Sequence, residues 1–361
     1  MRTRTGYERV VAQRASTYYA YSASQDGKVI EVDEALGLCK VKYKDGTVQV
    51  IEFGEKYGEC ADMVTTLKLQ LTVKVGDSFK KGDVLSYNPE YFEFDPIARQ
   101  ADWKHGVIAT VALMDCGPTF EDSNSITKEL GEKLEIQPIE IRQIAITADT
   151  VIHAHKSVGD EVDVTDYLMI FEDSEAADLT GMSQDADALE YLAKLNRKTP
   201  KAKCTGTIAK IEAFYAAPIS EMHSSVAKFV RDVTKKNMQK HKYSQGTISG
   251  MDFPESKPLP VGTKFKGVTF EKDTVLFRFF IQERIGCGVG DKIVFDSSLK
   301  SVTGKIHEDI NTESGLKIDA VFSGSSISNR IVNSPIIMGM AERILETLEQ
   351  QAIDIYFDKS K

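Results

Sequence analysis

The sequence predicts a mainly β protein with some helix, an α+β chain. Three observations carry this. Asp26-Gly27 and Asp45-Gly46 are turn dipeptides set between short alternating runs. A module of the form V-G-D followed six residues later by D-x-L occurs twice. Helical periodicity is confined to three stretches: 184–198, 218–242 and the C-terminal tail.

Residues 16–100 read as strands and turns. The second turn dipeptide joins Cys39–Tyr43 to Thr47–Phe53, and Val75-Gly76-Asp77 with Asp83-Val84-Leu85 completes a first sandwich-barrel hybrid module, in which glycine supplies tight turns and apolar residues pack inward. Val107, Ala109, Val111 and Leu113 alternate as a strand ending in Cys116-Gly117-Pro118-Thr119-Phe120-Glu121-Asp122-Ser123. Two readings of its acidic end stay open. Glu121 and Asp122 can point into one site from a turn, or Asp122-Ser123-Asn124-Ser125 can cap a helix beginning near Ile126. Val158-Gly159-Asp160 with Asp166-Tyr167-Leu168 opens a second hybrid module, whose paired strand is Thr205–Ile211. Between its halves, 184–198 carries Leu189, Leu192 and Leu195 near one helical face.

Met222, Val226, Phe229, Val230, Val233 and Met238 give 218–242 an apolar stripe. Its lysines and arginine (Lys228, Arg231, Lys235, Lys236, Lys240, Lys242) read either as a solvated face or as a contact to nucleic acid. A loop-like stretch, 243–267, precedes a half-buried strand marked by Val275, Phe277, Phe279 and Ile281. Gly286, Gly288 and Gly290 then announce a bend or close backbone approach before Asp291-Lys292. Lys300 and Lys305 follow at fixed offsets, Leu316–Phe322 reads as a strand, and a final helix from Ser334-Pro335 buries Ile337, Met340, Ile344, Leu345 and Leu348.

Gly290-Asp291-Lys292, Lys300, Val302 and Lys305-Ile306 resemble the lysine motif at the catalytic centre of the β subunit of multisubunit DNA-directed RNA polymerases. Three more stretches resemble that family in its order: Thr5-Gly6-Tyr7-Glu8 with Asp26-Gly27-Lys28-Val29; Phe120-Glu121-Asp122-Ser123; and Ile318-Asp319-Ala320-Val321-Phe322 with Ser328-Asn329-Arg330. The departure is Phe295–Ser301, where the family has a glycine- and basic-rich loop.

The resemblance implies a split double-psi β-barrel formed by 101–144 and 268–333. Around it would lie an N-terminal hybrid barrel (1–100), a flap hybrid barrel (145–215) with tip helix 184–198, a helical insertion and loop (216–267) and a C-terminal helix (334–361). It implies a β-like part of a split, phage-type polymerase, a nucleotidyltransferase subunit inactive alone. Lys292 and Lys300 would contact the RNA 3′ end and hybrid phosphates, and Arg330 the incoming triphosphate. Glu121 and Asp122 would assist a second Mg2+ indirectly, and Lys305 would be structural. The implied partners are a β′-like subunit bearing the family's Asp-triad motif, which is missing here, a separate polypeptide with the N-terminal half of β, a promoter-specificity factor at the flap, DNA, RNA and nucleoside triphosphates. The expected place is the cytoplasm, that of the host if the chain is phage-encoded, or the virion.

Composition bounds these readings. With 361 residues the chain has material for two or three domains. Its five cysteines form no C-x-x-C pair, so neither a zinc ribbon nor a redox dithiol is indicated, and no apolar run has membrane-spanning length. A net charge of −9 argues against a free-standing nucleic-acid binder and leaves open a subunit with basic residues lining one channel. Two rival functions follow: a non-catalytic transcription scaffold, suggested by the altered loop, and a hybrid-barrel carrier or adaptor. The carrier is disfavoured because neither module turn holds a modifiable lysine in a carrier setting.

Overall fold

The computed structural model describes residues 6–60, 63–104, 106–172, 197–244, 256–295, 299–329 and 334–357. The expected tip helix 184–198 lies outside them except for its last two residues, as do Arg330 and Asp296–Ser298. The chain is mainly β with some helix, as expected. It divides into two compact units: Ala15–Glu90 with Gln137–Arg284, and Met1–Arg14 with Tyr91–Ile136 and Ile285–Lys361. This division departs from the expected boundaries. The strand Pro138–Thr147, which crosses the expected boundary between the first barrel half and the flap, pairs from Ile139 on with Thr274–Gln282 of the expected second half, both in the larger unit, and Gly206–Tyr215 of the expected flap pairs with the latter strand.

In the larger unit, Thr274–Gln282 is an interior strand of an eight-stranded sheet, between Pro138–Thr147 and Gly206–Tyr215. The sequence suggests a half-buried strand; the structure buries both faces from Val275 to Ile281. Leu276 and Phe280 fill the face opposite Phe277 and Phe279. Arg278, which makes the run look alternating, is buried because its Nη1 donates to the buried Glu212 carboxylate at 2.9 Å, and its guanidinium lies over the Phe280 ring. A charge enters such a strand only with a partner of this kind. The main core joins Ile144, Ile146, Ile208, Phe277 and Phe279 to Val226, Phe229 and Val230 of the helix Ser224–Ser244. A second core, Val29, Cys39, Val41, Ile51, Phe79 and Leu85, lies within a four-stranded sheet and its neighbours.

The 218–242 helix is shorter at its start than the sequence suggests: Ile219–Glu221 is a 3₁₀ turn, and the α-helix begins at Ser224. Met238, expected on the apolar stripe, is exposed, whereas Lys240 is buried and its ammonium donates to Glu52 at 2.6 Å. Glu52 also pairs with the buried Lys56 at 3.0 Å. Burial pushes the Lys56 ammonium below its ordinary value, against the pull of Glu52.

The turns are the most legible feature. At Val75-Gly76-Asp77 and Val158-Gly159-Asp160 the glycine has φ of +90° and +94°, conformations that cost an L-residue energy. In each, the Asp amide donates to the carbonyl three residues back, and the Asp carboxylate accepts from the amide of that residue, Lys74 in one turn and Ser157 in the other. Each turn then docks on one buried strand residue by two backbone bonds: the glycine amide donates to Val29 or Ile208, whose own amide donates to the Asp carbonyl. Lys81-Gly82-Asp83 repeats the arrangement on Ala23.

In the smaller unit, five strands form a mixed sheet in the order Val111–Leu113, Ala320–Phe322, Ser123–Thr127, Leu299–His307, Lys292–Phe295. The polar stretch Ser123–Thr127 is a strand and not a capping segment. The cap is Thr127, whose side chain accepts from the Leu130 amide to start the short helix Lys128–Lys133. The C-terminal helix Ser334–Phe357 forms as expected, but its apolar face is not buried: Ile337, Met340, Ile344 and Leu348 are all exposed. Among the described residues no helix is long and apolar enough to cross a membrane.

Candidate functional site

The lysine motif folds as a hairpin. Lys292–Phe295 runs antiparallel to Leu299–His307, with Lys292 opposite Val302 and Val294 opposite Lys300. Opposite residues in such a pair share a face, and side chains alternate along each strand. Burial follows that rule: Leu299, Ser301 and Thr303 are inside, while Lys292, Val294, Lys300 and Val302 are outside. Both lysines therefore occupy one exposed face as diagonal neighbours. By sheet geometry such diagonal neighbours are about 7–8 Å apart, with their Cβ atoms somewhat closer.

The turn before the hairpin is the x-G-D turn again. Gly290 has φ +95°, and the Asp291 carboxylate accepts from the Gly288 amide at 2.7 Å. The Gly290 amide donates to Thr303 O at 2.8 Å, and the Thr303 amide to Asp291 O at 2.9 Å. Gly-Asp here is turn chemistry, the same as at three places in the larger unit. Gly286 supplies the expected close approach: a Cβ there would stand 3.2 Å from Gly131 O.

The acidic doublet meets this hairpin through the backbone. Ser123–Thr127 lies parallel to Leu299–His307, with Ser123 beside Val302, so Ser123, Val302 and Lys292 stand abreast on three adjacent strands. Asp122 O accepts from the Val302 amide at 2.9 Å and from Ser301 Oγ at 2.7 Å. The buried Asn124 donates through Nδ2 to Ser301 Oγ at 2.8 Å. Glu121 has φ +52°, a left-handed conformation uncommon for a non-glycine residue. Its carbonyl accepts from Ser326 Oγ, and both acidic side chains are exposed. Lys305, beside Ser125 in register, is exposed as well.

Three supporting features escape the sequence reading. Gly304 allows the doublet's strand to approach, since a Cβ there would stand 2.4 Å from Ser123 Oγ. Ser301 and Asn124 form the buried polar link just described. Asp115 accepts from Ser323 Oγ at 2.6 Å and Ser325 Oγ at 2.8 Å, which tie the segment before the doublet to the helix Gly324–Ser328 and hold the Asp115 carboxyl below its ordinary range. None has a motif of its own in sequence; each works through a residue far along the chain, visible only in the folded sheet.

Among the described residues no three His, Cys, Asp or Glu side chains converge as a metal site. Two exposed carboxylates are the right donor type for Mg2+ but too few for a full set, which fits a shared ion and not a resident one. Compared with models of known protein families, the chain matches none, and no curated protein matches it.

Proposed function

We propose that this chain is a β-like subunit of a multisubunit DNA-dependent RNA polymerase of the split, phage type, with a divided double-psi β-barrel and two hybrid modules as its finer architecture. The observation that carries the reading is the juxtaposition of Lys292 and Lys300 on one exposed face with the strand that follows Asp122. Two segments that resemble the family separately, far apart in sequence, are adjacent in the fold.

In this role the RNA 3′-oxygen attacks the α-phosphorus of a nucleoside triphosphate, an O–P bond forms, the α–β bridging bond breaks and pyrophosphate leaves. The two lysines hold phosphates of the RNA end and hybrid and offset their charge. Arg330, following the short helix anchored by Asp115, engages the triphosphate with its planar guanidinium. Mg2+, held mainly by the β′-like partner and the triphosphate, would supply Lewis-acid stabilisation, with Glu121 and Asp122 assisting through water. The exposed apolar face of the C-terminal helix is consistent with a chain that works inside an assembly.

Isolation of the native protein with its bound partners, followed by mass spectrometry, tests this. We expect a β′-like chain with a D-x-D-G-D segment and a separate chain with the upstream half of β. Recovery in a complex with no such chain overturns the reading. A second reading, a scaffold without catalytic contribution, is favoured by the recurrence of the Gly-Asp turn at places with no chemistry. Reconstituted complex carrying Lys292→Ala and Lys300→Ala separates the two, since a scaffold would leave elongation intact.

A further inference from the structure

The helix Ser224–Ser244 carries six cations and one acid, Asp232, in a chain whose net charge is −9. Lys240 is taken up by Glu52. The other five, Lys228, Arg231, Lys235, Lys236 and Lys242, are exposed, and among the described residues none of them makes an ion pair. At 100° per residue, Lys228, Arg231, Lys235 and Lys242 fall within an arc of about 60°, with rises of about 4.5, 6 and 10.5 Å between them. They form one straight stripe about 21 Å long. Asp232 and Lys236 flank it.

The helix cannot easily roll away from this presentation. Val226, Phe229 and Val230 are buried on its other side, with Phe229 stacked on Phe277 at 4.5 Å between ring centroids. At its far end Lys240 is fixed on Glu52, and the Lys40 ammonium lies 3.9 Å from the centroid of the Tyr243 ring. Packing sets the stripe's direction from both ends.

We propose that this stripe is a nucleic-acid contact that seats the phosphate backbone of a duplex without reading its sequence. A duplex strand carries one phosphate per about 3.4 Å of axis but winds as it rises, so a straight stripe of this length meets the few phosphates that face it. From Lys228 to Lys242 the one Phe, Tyr or Trp is Phe229, which is buried, and the next, Tyr243, already holds the Lys40 ammonium 3.9 Å from its ring centroid, so the stripe lacks the row of exposed rings on which a single strand stacks. A straight row of cations on a helix held by its packing matches a rigid polyanion better than a flexible acidic peptide. The inference does not rest on the role proposed for Lys292 and Lys300.

The test is fluorescence anisotropy of the full chain with a labelled DNA duplex of random sequence over a salt series. Replacement of Lys228, Arg231, Lys235 and Lys242 together by Gln should weaken binding at low salt at least about tenfold. The slope of log K against log salt should become shallower by about 0.9 for each phosphate that the variant no longer neutralises. Single Arg231→Gln and Lys235→Gln chains, which replace exposed side chains, should each remove about one such step and keep the inference testable if the fourfold variant folds poorly. The inference is overturned if the unmodified chain does not bind duplex, if the substitutions leave affinity and slope unchanged, or if poly-glutamate competes as well as duplex does. The Lys292→Ala, Lys300→Ala chain reports separately through elongation, so either reading can fail alone.

Discussion

Two turns of the same sequence lead to opposite surroundings. Val158-Gly159-Asp160 and Val289-Gly290-Asp291 share the left-handed glycine, the Asp carboxylate closing the turn and the paired backbone bonds to one buried strand residue, Ile208 in one and Thr303 in the other. After the first comes Glu161-Val162, a short edge strand against Gly206-Thr207 at the rim of the main core. After the second comes Lys292, on an exposed face with Lys300, Val294 and Val302, abreast of the strand that begins beside the acidic doublet. The turn is a common structural part. What differs is the residue delivered after it and the strand it docks on, so function has to be argued from Lys292 and its neighbours and not from Gly-Asp.

The largest expected effect therefore belongs to the residue after the turn. In reconstituted complex, Lys292→Glu, which makes the second turn read like the first, should reduce elongation by about a hundredfold or more, the scale for removing one preorganised charge. Glu161→Lys, the reverse exchange, should leave elongation within about twofold. Both side chains are exposed, so the thermal midpoint should hardly move for either. Equal effects of the two exchanges would erase the functional difference between the two turns.

Next come the buried supports. Ser301→Ala removes the hydroxyl that donates to Asp122 O and accepts from Asn124, leaving a buried amide short of a partner at a cost of about 1–3 kcal/mol. The turn on Ile208 has no such link, because its partner is apolar. Urea unfolding of Ser301→Ala against Ile208→Val should show loss at both. Only the serine change should also lower elongation, because it loosens the strand of the doublet.

Smaller still are the turns themselves. A Cβ added at Gly76, Gly159 or Gly290 meets nothing within 4 Å, so alanine there costs only the left-handed backbone, about 1–2 kcal/mol. The three variants should lose similar stability in chemical denaturation. A much larger loss at Gly290 alone would mean that this turn is not equivalent to the others.

The turns and the main helix are legible in sequence because each is announced locally, by Gly-Asp in one case and by an apolar stripe at helical spacing in the other. Elsewhere the deciding partner is distant. The strand Thr274–Gln282 reads as half-buried because Arg278 interrupts it, and only Glu212 explains a buried guanidinium. Asp122-Ser123-Asn124-Ser125 admits a capping reading because its residues are small and polar, yet Ser123–Thr127 is a strand. Its backbone pairs with two neighbouring strands, and the Asn124 Nδ2 donates to Ser301, far along the chain. The C-terminal helix is legible as a helix, but periodicity gives the face and not what covers it. The candidate site is visible as two separate motifs, and their adjacency comes only with the sheet.

The smallest expected effect is in acid. Glu129, on the short helix after the doublet's strand, is paired with Lys133 at 2.7 Å and with Lys317, and these cations hold its carboxyl down to about 2. In the larger unit Asp26 is lowered likewise by Lys44 and by the Lys81 amide. A carboxyl whose value falls on folding contributes stability that is present above its ordinary range and lost as pH drops toward the folded value. Glu129→Gln and Asp26→Asn should each differ from the unmodified chain near neutral pH, and the differences should vanish as the pH is lowered through the carboxylate range. Hydrogen exchange should place the loosening in 123–134 and 317–322 for the first and in 23–44 for the second. Exchange that rises throughout the chain for either would mean that these exposed pairs support more than their own neighbourhood.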